Sequence, residues 1–166
     1  MGRAITISLL LGLITGAVSA QPADAVGESR TVLREGNQKL SAGAIAIRAG
    51  NYDEGIRQTL SGLDAPDLSN ELRAAALSNL CAAYAAKNQP DTAIRYCTES
   101  LGLDASNWRA FSNRSYAYWI KGLYSEAAID LDAAAAMNPR ARQVAMIRGM
   151  INEARLEPHI RIEDLH

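Results

Sequence analysis

Apolar residues recur at helical spacing along most of the chain. The spacing is clearest in two consecutive stretches, which contain Leu77, Cys81 and Tyr84, then Ala93, Cys97 and Leu101. Residues three or four positions apart lie on the same face of an α-helix, so each stretch predicts an amphipathic helix. Between them, Asn88 can adopt the left-handed conformation that ends a helix, and Pro90 suits the first turn of the next one. The pattern therefore predicts pairs of helices joined by tight turns.

The helix pair repeats at a fixed interval. When Ala74–Asn107 is aligned with Trp108–Ala141, the segment that directly follows it, five positions agree in chemical type. The agreeing pairs are Leu77 with Phe111, Asn79 with Asn113, Tyr84 with Tyr118, Ala93 with Ala127 and Asp104 with Asn138. In the later unit we expect Gly122 to end the first helix, Ser125 to cap the second and Pro139 to close the pair.

A further unit precedes these two, and a single helix follows them. Gly50 corresponds to Asn88, but the separation between them exceeds the repeat interval by four. We therefore expect four extra residues in a loop at Ala65–Asn70, where insertions cost little. After Pro139, Ala141–Leu156 predicts one amphipathic helix that caps the apolar face of the last pair.

The N-terminus has the composition of a secretory signal peptide. Arg3 precedes an apolar run and small residues that end at Ala20, and cleavage there is expected. The run is shorter and more interrupted than the ~20 apolar residues of a spanning helix. A retained N-terminal anchor is the alternative, but after cleavage we expect no membrane span. The expected organisation is a signal peptide at 1–20, a linker at 21–28, a helical domain at 29–157 and a polar tail at 158–166.

The units resemble tetratricopeptide repeats, whose pattern is a large residue, a small one, Tyr, Ala, a second small residue and Pro. In the third unit these are Phe111, Ser115, Tyr118, Ala127, Ala134 and Pro139. In the second they are Leu77, Cys81, Tyr84, Ala93, Ser100 and Ala105. The first unit has the small residues Gly43, Gly55 and Gly62, with Ala46 in place of the Tyr. The interval also agrees with the ~34 residues of that family's repeat. The resemblance implies an all-α solenoid of three antiparallel helix pairs, the first divergent, plus a C-terminal capping helix.

The resemblance also implies a non-catalytic module that binds a peptide or protein segment in a concave groove. Projection at 100° per residue selects the outward positions of the third unit's first helix, which are Arg109, Ser112, Asn113, Tyr116, Trp119 and Ile120. Asn79 and Asn113 have the same phase, so each amide can bond to the backbone of an extended ligand. Tyr116 and Trp119 can act as apolar anchors, and Arg109 can pair with a carboxylate. In the alternative, the Asn side chains are only solvated, and Tyr116 or Trp119 packs against the final helix rather than a ligand.

The two cysteines are candidates for a disulfide. Cys81 and Cys97 lie roughly opposite each other in an antiparallel hairpin whose turn falls at 87–89. Facing Cα atoms of packed helices approach to ~4–5 Å, which overlaps the ~4.4–6.8 Å that a disulfide needs. An oxidising compartment permits the bond, and two buried thiols are the alternative.

Charge and composition argue against several classes of function. The chain has 17 basic and 18 acidic residues without a basic cluster, so we expect no nucleic-acid partner. The only histidines are His159 and His166 in the tail, which leaves no metal site or histidine dyad on the helices. Asp130 and Asp132 are interpreted as solvated charges rather than catalytic acids.

We therefore expect no cofactor and no catalysis. The favoured function is an adaptor or scaffold that binds a protein or peptide in an exported compartment, periplasmic or secreted. A structural subunit of an envelope or secretion assembly is the alternative, and an enzyme is the least favoured reading.

Overall fold

The computed structural model describes residues 38–66 and 68–156, apart from the side chains of Arg155 and Leu156. These residues form seven α-helices and no strand: α1 (Gln38–Arg48), α2 (Tyr52–Leu63), α3 (Asn70–Ala86), α4 (Pro90–Leu103), α5 (Trp108–Ile120), α6 (Tyr124–Met137) and α7 (Arg142–Leu156). The all-α prediction is confirmed. The signal segment 1–20, the linker 21–28, the first part of the helical domain at 29–37 and the tail 158–166 lie outside the described residues.

Consecutive helices pair into three hairpins, α1–α2, α3–α4 and α5–α6, which pack side by side in chain order. Helix α7 then packs against α5 and α6, in the place where the next hairpin's first helix would lie. This is the predicted arrangement of three helix pairs and a capping helix. Within 38–66 and 68–156, no helix has both the length and the apolar character needed to cross a membrane.

Each hairpin turns at a residue in the left-handed region. Gly50, Asn88 and Gly122 have φ values of 83°, 57° and 74°, and Pro90 begins α4 as predicted. The prediction for Ser125 is wrong, because α6 already begins at Tyr124 and no side chain caps it. The second helix of each pair therefore begins directly after the turn, without a side-chain cap.

The four extra residues lie mainly in a helix rather than in a loop, which corrects the sequence prediction. Helix α3 has 17 residues whereas α5 has 13, so α3 is longer by about one turn. The added turn is stabilised at its start, where the Ser69 hydroxyl accepts a hydrogen bond from the Leu72 amide at 3.3 Å. Glu71 in the first turn adds a favourable charge for the helix dipole.

The first hairpin depends on glycine at its helix–helix contacts. A Cβ atom on Gly43 would lie 2.2 Å from the Thr59 hydroxyl and 2.9 Å from the Thr59 backbone nitrogen. A Cβ atom on Gly55 would lie 2.4 Å from Cγ1 of Ile47. Any larger residue would push α1 and α2 apart, so the small positions identified in the sequence are filled by the only residue that fits.

The second hairpin is joined by a disulfide. Cys81 of α3 and Cys97 of α4 are bonded, with their Cα atoms 5.3 Å apart, and both residues are fully buried. Of the two states that the sequence left open, the structure contains the bonded one. Around it, Ala110 and Ala117 of α5 pack with both cysteines, and their small side chains allow the next hairpin to approach closely.

The third hairpin contains a buried ion pair. Arg114 of α5 donates two hydrogen bonds to the carboxylate of Asp130 on α6, at 2.7 and 2.9 Å, and a third to the Thr98 hydroxyl at 3.0 Å. The two charged side chains are only 17% and 7% exposed. The hydrogen bond to Asp130 raises the pKa of Arg114 above its ordinary value. The interpretation of Asp130 as a solvated charge is therefore wrong, because it faces α5, where the guanidinium replaces its hydration.

The contrast between two helical glycines tests the packing of the first hairpin. We expect Gly43→Ala to reduce the free energy of unfolding by ~1–3 kcal/mol, because the new methyl group would overlap Thr59. Gly149→Ala is the matched control, since a Cβ there has no atom within 4 Å. The control should stabilise α7 by ~0.5–1 kcal/mol through helix propensity. Urea unfolding followed by circular dichroism measures both, and equal effects would contradict the packing account.

Candidate functional site

The residues predicted to contact a ligand lie along one side of α5 and on the adjacent part of α3. On α5 they run from Arg109 near the first turn to Trp119 near the last, ~15 Å along the helix axis at ~1.5 Å per residue. A hydrogen bond from α5 to Ser78 places this side of α5 against α3, next to Asn79. We call this surface the groove face, formed by Asn79, Arg109, Asn113, Tyr116 and Trp119.

Asn113 is used to pack the helices together. Its amide nitrogen donates to the Ser78 carbonyl oxygen at 3.1 Å and to the Ser78 hydroxyl at 3.3 Å. Its amide oxygen accepts a bond from Gln143 of α7 at 2.7 Å. The residue is only 8% exposed, so a single amide joins α3, α5 and α7. This differs from the sequence prediction, in which Asn113 offers its amide to a ligand.

Asn79 has the same place in its own hairpin but a different environment. The residue that corresponds to Ser78 in the first unit is Leu40, which has no side-chain acceptor to offer. The Asn79 amide nitrogen is covered and has no hydrogen-bond partner among the described residues, while the residue as a whole is partly exposed. The two amides are equivalent in the sequence but differ in the structure: the Asn113 amide is hydrogen-bonded through both its nitrogen and its oxygen, whereas the Asn79 amide nitrogen has no partner within the described part of the chain.

The same mismatch recurs at the other end of the array. Ser112 of α5 corresponds to Ser78, and the residue of α7 that corresponds to Asn113 is Ile147. Ser112 is fully buried and its hydroxyl oxygen has no partner within the described part of the chain. The isoleucine has no polar side-chain group that could donate to it. Among the described helices, a complete Asn–Ser contact thus exists only between the second and third hairpins.

The aromatic end of the groove face is partly covered by α7. The rings of Tyr116 and Trp119 are stacked, with centroids 6.0 Å apart, and both pack against the apolar cluster that α7 shares with α6. The Trp119 indole donates to the Met150 carbonyl oxygen at 3.2 Å. One part of each aromatic side chain therefore packs against the final helix, as the alternative interpretation of the sequence expected. The rest of each side chain remains partly exposed.

Helix α7 adds residues to this face that the sequence analysis did not select. Gln143 and Met150 lie one repeat interval after Arg109 and Tyr116, and both contact groove residues. Met146, between them, is 57% exposed. The repeat could have identified these three residues from the sequence, because each lies one repeat interval after an outward position of α5.

Arg109 supplies the positive charge at the opposite end of the groove face. Its guanidinium carbon lies 4.5 Å from the centre of the Trp108 ring, a stacking distance that favours a cation over an aromatic face. Burial lowers the pKa of Arg109, but an arginine remains charged at any physiological pH.

The groove face presents two kinds of contact on one side of α5, a cation at Arg109 and partly exposed aromatic surface at Tyr116. These groups can hold an extended chain by charge and by an apolar side chain. In the described ranges, no three histidine, cysteine or acidic side chains come close enough to hold a metal ion.

Comparisons with known proteins identify relatives of part of the chain, although no family model matches it. DnaJ homolog subfamily C member 3 of Rattus norvegicus is 28% identical over 108 residues, which cover 65% of this chain and 21% of the relative. The chain thus spans about a fifth of the length of the curated relatives it matches.

Solved structures extend the likeness to the fold. The tetratricopeptide-repeat domain of P58(IPK) has a TM-score of 0.65 at 24% identity and covers 74% of this chain and 34% of its own. The first such domain of Spaghetti (RPAP3), bound to the HSP90 peptide SRMEEVD, has a TM-score of 0.59 at 23% identity and covers 70% of this chain and 89% of its own. At these identities the likeness shows the fold, which is that of tetratricopeptide-repeat domains.

The different roles of Asn113 and Asn79 can be separated by the same substitution at both. We expect Asn113→Ala to reduce the free energy of unfolding by ~1–3 kcal/mol, because it removes bonds among three helices. Asn79→Ala should be neutral or stabilising by up to ~1 kcal/mol, since it removes a donor that is buried without a partner. Urea unfolding gives both values, and a larger loss for Asn79→Ala would show that the two environments have been assigned the wrong way round.

Proposed function

We propose that this chain is a protein-interaction module that binds an extended peptide or protein segment on the groove face, without catalysis. The observation that carries the proposal is that a cation at Arg109 and partly exposed aromatic surface at Tyr116 lie on the same side of α5. A carboxylate and an apolar side chain of one ligand segment can contact the two together. The fold supports the proposal, since a neighbour with the same fold is solved with a peptide bound.

The spacing of the groove residues defines the ligand further. The ~15 Å between Arg109 and Trp119 equals four or five residues of extended chain at ~3.3 Å per residue. We therefore propose a ligand with a carboxylate at one end of such a stretch and an apolar side chain at the other. Asn113 is engaged by Gln143, so it contributes by positioning α7 rather than by direct contact.

We also propose that the protein acts after export, in the periplasm or outside the cell. Two features support this. Residues 1–20 have the composition of a signal peptide, and the bond between Cys81 and Cys97 belongs to a class that persists in oxidising compartments and is rare in the cytosol.

Selected peptides test the groove. Peptides taken from a random library by the full chain should carry an acidic and an apolar residue four or five positions apart. Fluorescence anisotropy should show that Arg109→Ala and Tyr116→Ala each weaken their binding at least tenfold, which is ~1.4 kcal/mol. Trp119 is left intact because it also holds α7.

Lys121→Ala is the matched control, because it removes an equal charge from the end of α5 outside the groove face. Lys121 is exposed and pairs with Asp91, so its loss should change the affinity less than twofold. If Lys121→Ala and Arg109→Ala weaken binding equally, or if no peptide binds saturably, the groove proposal is wrong.

Mass spectrometry and thiol alkylation of protein isolated from its natural source test export. We expect a chain that begins at Gln21 and contains no free thiol. Reduction should lower its free energy of unfolding by ~3 kcal/mol, the value for a loop of ~15 residues. The variant with both Cys81→Ala and Cys97→Ala should be insensitive to the reductant. A cytosolic chain that retains residues 1–20 and two free thiols would contradict the proposal.

A further inference from the structure

An open apolar pocket lies between α2, α3 and α4, apart from the groove face. Its volume is about 420 Å³, within the ~300–1,000 Å³ of typical ligand sites. The residues around it are Leu63, Arg73, Leu77, Glu99, Gly102 and Leu103. Leu103 is 37% exposed, so apolar surface is accessible at the mouth.

The pocket and the groove face are on opposite sides of α3. Asn79 belongs to the groove face and Leu77 to the pocket, and two positions on a helix are ~200° apart around its axis. The second helices α2 and α4 both contribute to the pocket, whereas the groove face is built from first helices. A ligand in one site therefore leaves the other accessible.

Two residues that line the pocket are smaller than their counterparts in the third unit. Leu77 corresponds to Phe111, and in the third unit the Phe111 ring packs against the apolar cluster of α6 and α7. Gly102 corresponds to Ala136, and a Cβ atom at Gly102 would meet no atom within 4 Å. The second hairpin thus has a leucine and a glycine where the third has an aromatic ring and a methyl group, and larger side chains at these two positions would take up part of the pocket.

The surroundings of the pocket are predominantly negative. Helices α2 and α4 both end there, and the carbonyl end of a helix carries a partial negative charge. Glu99 is exposed, and its contact with Arg95 is a loose 3.7 Å, a kind of surface pair that contributes little. Arg73, the one basic group of the lining, donates to the Leu63 carbonyl oxygen at 3.2 Å, so its charge offsets the end of α2 and leaves the end of α4 and Glu99 as the negative side.

Two more carboxylates lie beside the mouth. Asp104 directly follows Leu103, and Glu71 lies in the added first turn of α3. A hydrogen bond from its own backbone lowers the pKa of Glu71, and the carboxylate of Asp104 opposes this effect. The two groups are therefore close enough to repel each other, and a positive charge between them would be stabilised.

We propose that this pocket binds the apolar side chains of a basic amphipathic protein segment. The volume exceeds that of one aliphatic side chain, so it accommodates two neighbouring apolar residues of a helical segment. Lysine or arginine residues that flank them would face Glu99, the end of α4 and the neighbouring carboxylates of Asp104 and Glu71. An acidic segment would meet repulsion at the same positions, which makes charge the basis of selection.

Two synthetic helical peptides, each about five turns long at ~3.6 residues per turn, test the proposal with the full chain. Both carry leucine at positions i, i+3, i+4 and i+7, and the remaining positions are lysine in one peptide and glutamate in the other. We expect the lysine peptide to bind saturably in fluorescence anisotropy, at least tenfold tighter than the glutamate peptide. Equal binding of the two peptides, or none by the lysine peptide at millimolar concentration, would overturn the proposal.

Substitutions then locate the peptide. Leu77→Phe introduces at the pocket the residue type that the third unit has at Phe111, and Glu99→Lys reverses the charge at the edge of the pocket. Each substitution should weaken binding of the lysine peptide at least tenfold. Glu126→Lys makes the same charge change on the exposed first turn of α6, and Asn79→Ala alters the opposite side of α3, so both should change binding less than twofold.

Thermal unfolding of each variant separates loss of the site from loss of the fold. If the Leu77→Phe variant is destabilised, the Glu99→Lys variant still tests the site, because Glu99 is exposed and its substitution should leave the fold intact. Undiminished binding in Glu99→Lys, or an equal loss in Glu126→Lys, would show that the lysine peptide binds elsewhere. Because the groove ligands are selected separately and tested with Arg109→Ala, either proposal can fail without the other.

Discussion

The close approach of two helices at one small residue is the constraint on which each hairpin depends. Gly43, Cys81 and Ser115 occupy the same place in the first helix of their hairpins, and each permits the approach by different chemistry. Glycine leaves room for Thr59, the cysteine is covalently bonded to α4, and the serine hydroxyl donates to the Ala127 carbonyl oxygen at 2.6 Å. The repeat keeps the helices close together, while the interaction that holds them differs in every unit.

Contacts between hairpins are less uniform than the close approach within each hairpin. The Asn–Ser contact is satisfied once, between Asn113 and Ser78, and fails on either side, where a leucine or an isoleucine replaces one partner. On the opposite side, the aromatic packing of Phe111 is not repeated at Leu77. Since a solenoid is stable as the sum of neighbouring contacts, one imperfect contact lowers stability only locally and leaves a surface that a partner can use.

The sequence was sufficient for the fold because the fold depends on periodicity. The helical spacing and the regular repeat interval predicted the three hairpins, the turns at Gly50, Asn88 and Gly122, and the capping helix. The site was less predictable, because periodicity assigns a residue to a face without identifying what lies opposite. Asn113 was expected to face a ligand, but Gln143 lies across from it. The environment of Asp130, expected to be solvent, is set by Arg114 on another helix.

The two ends of the groove face differ in how they depend on the rest of the chain. The aromatic end is held by α7 through Trp119 and Met150, and the middle through Asn113 and Gln143. The Asn79 amide nitrogen makes no such bond within the described residues. Opening of α7 would therefore change the aromatic contacts and leave the Asn79 amide in place. A ligand that used both ends would stabilise α7 against opening, since a partner that binds only the closed state shifts the equilibrium towards it.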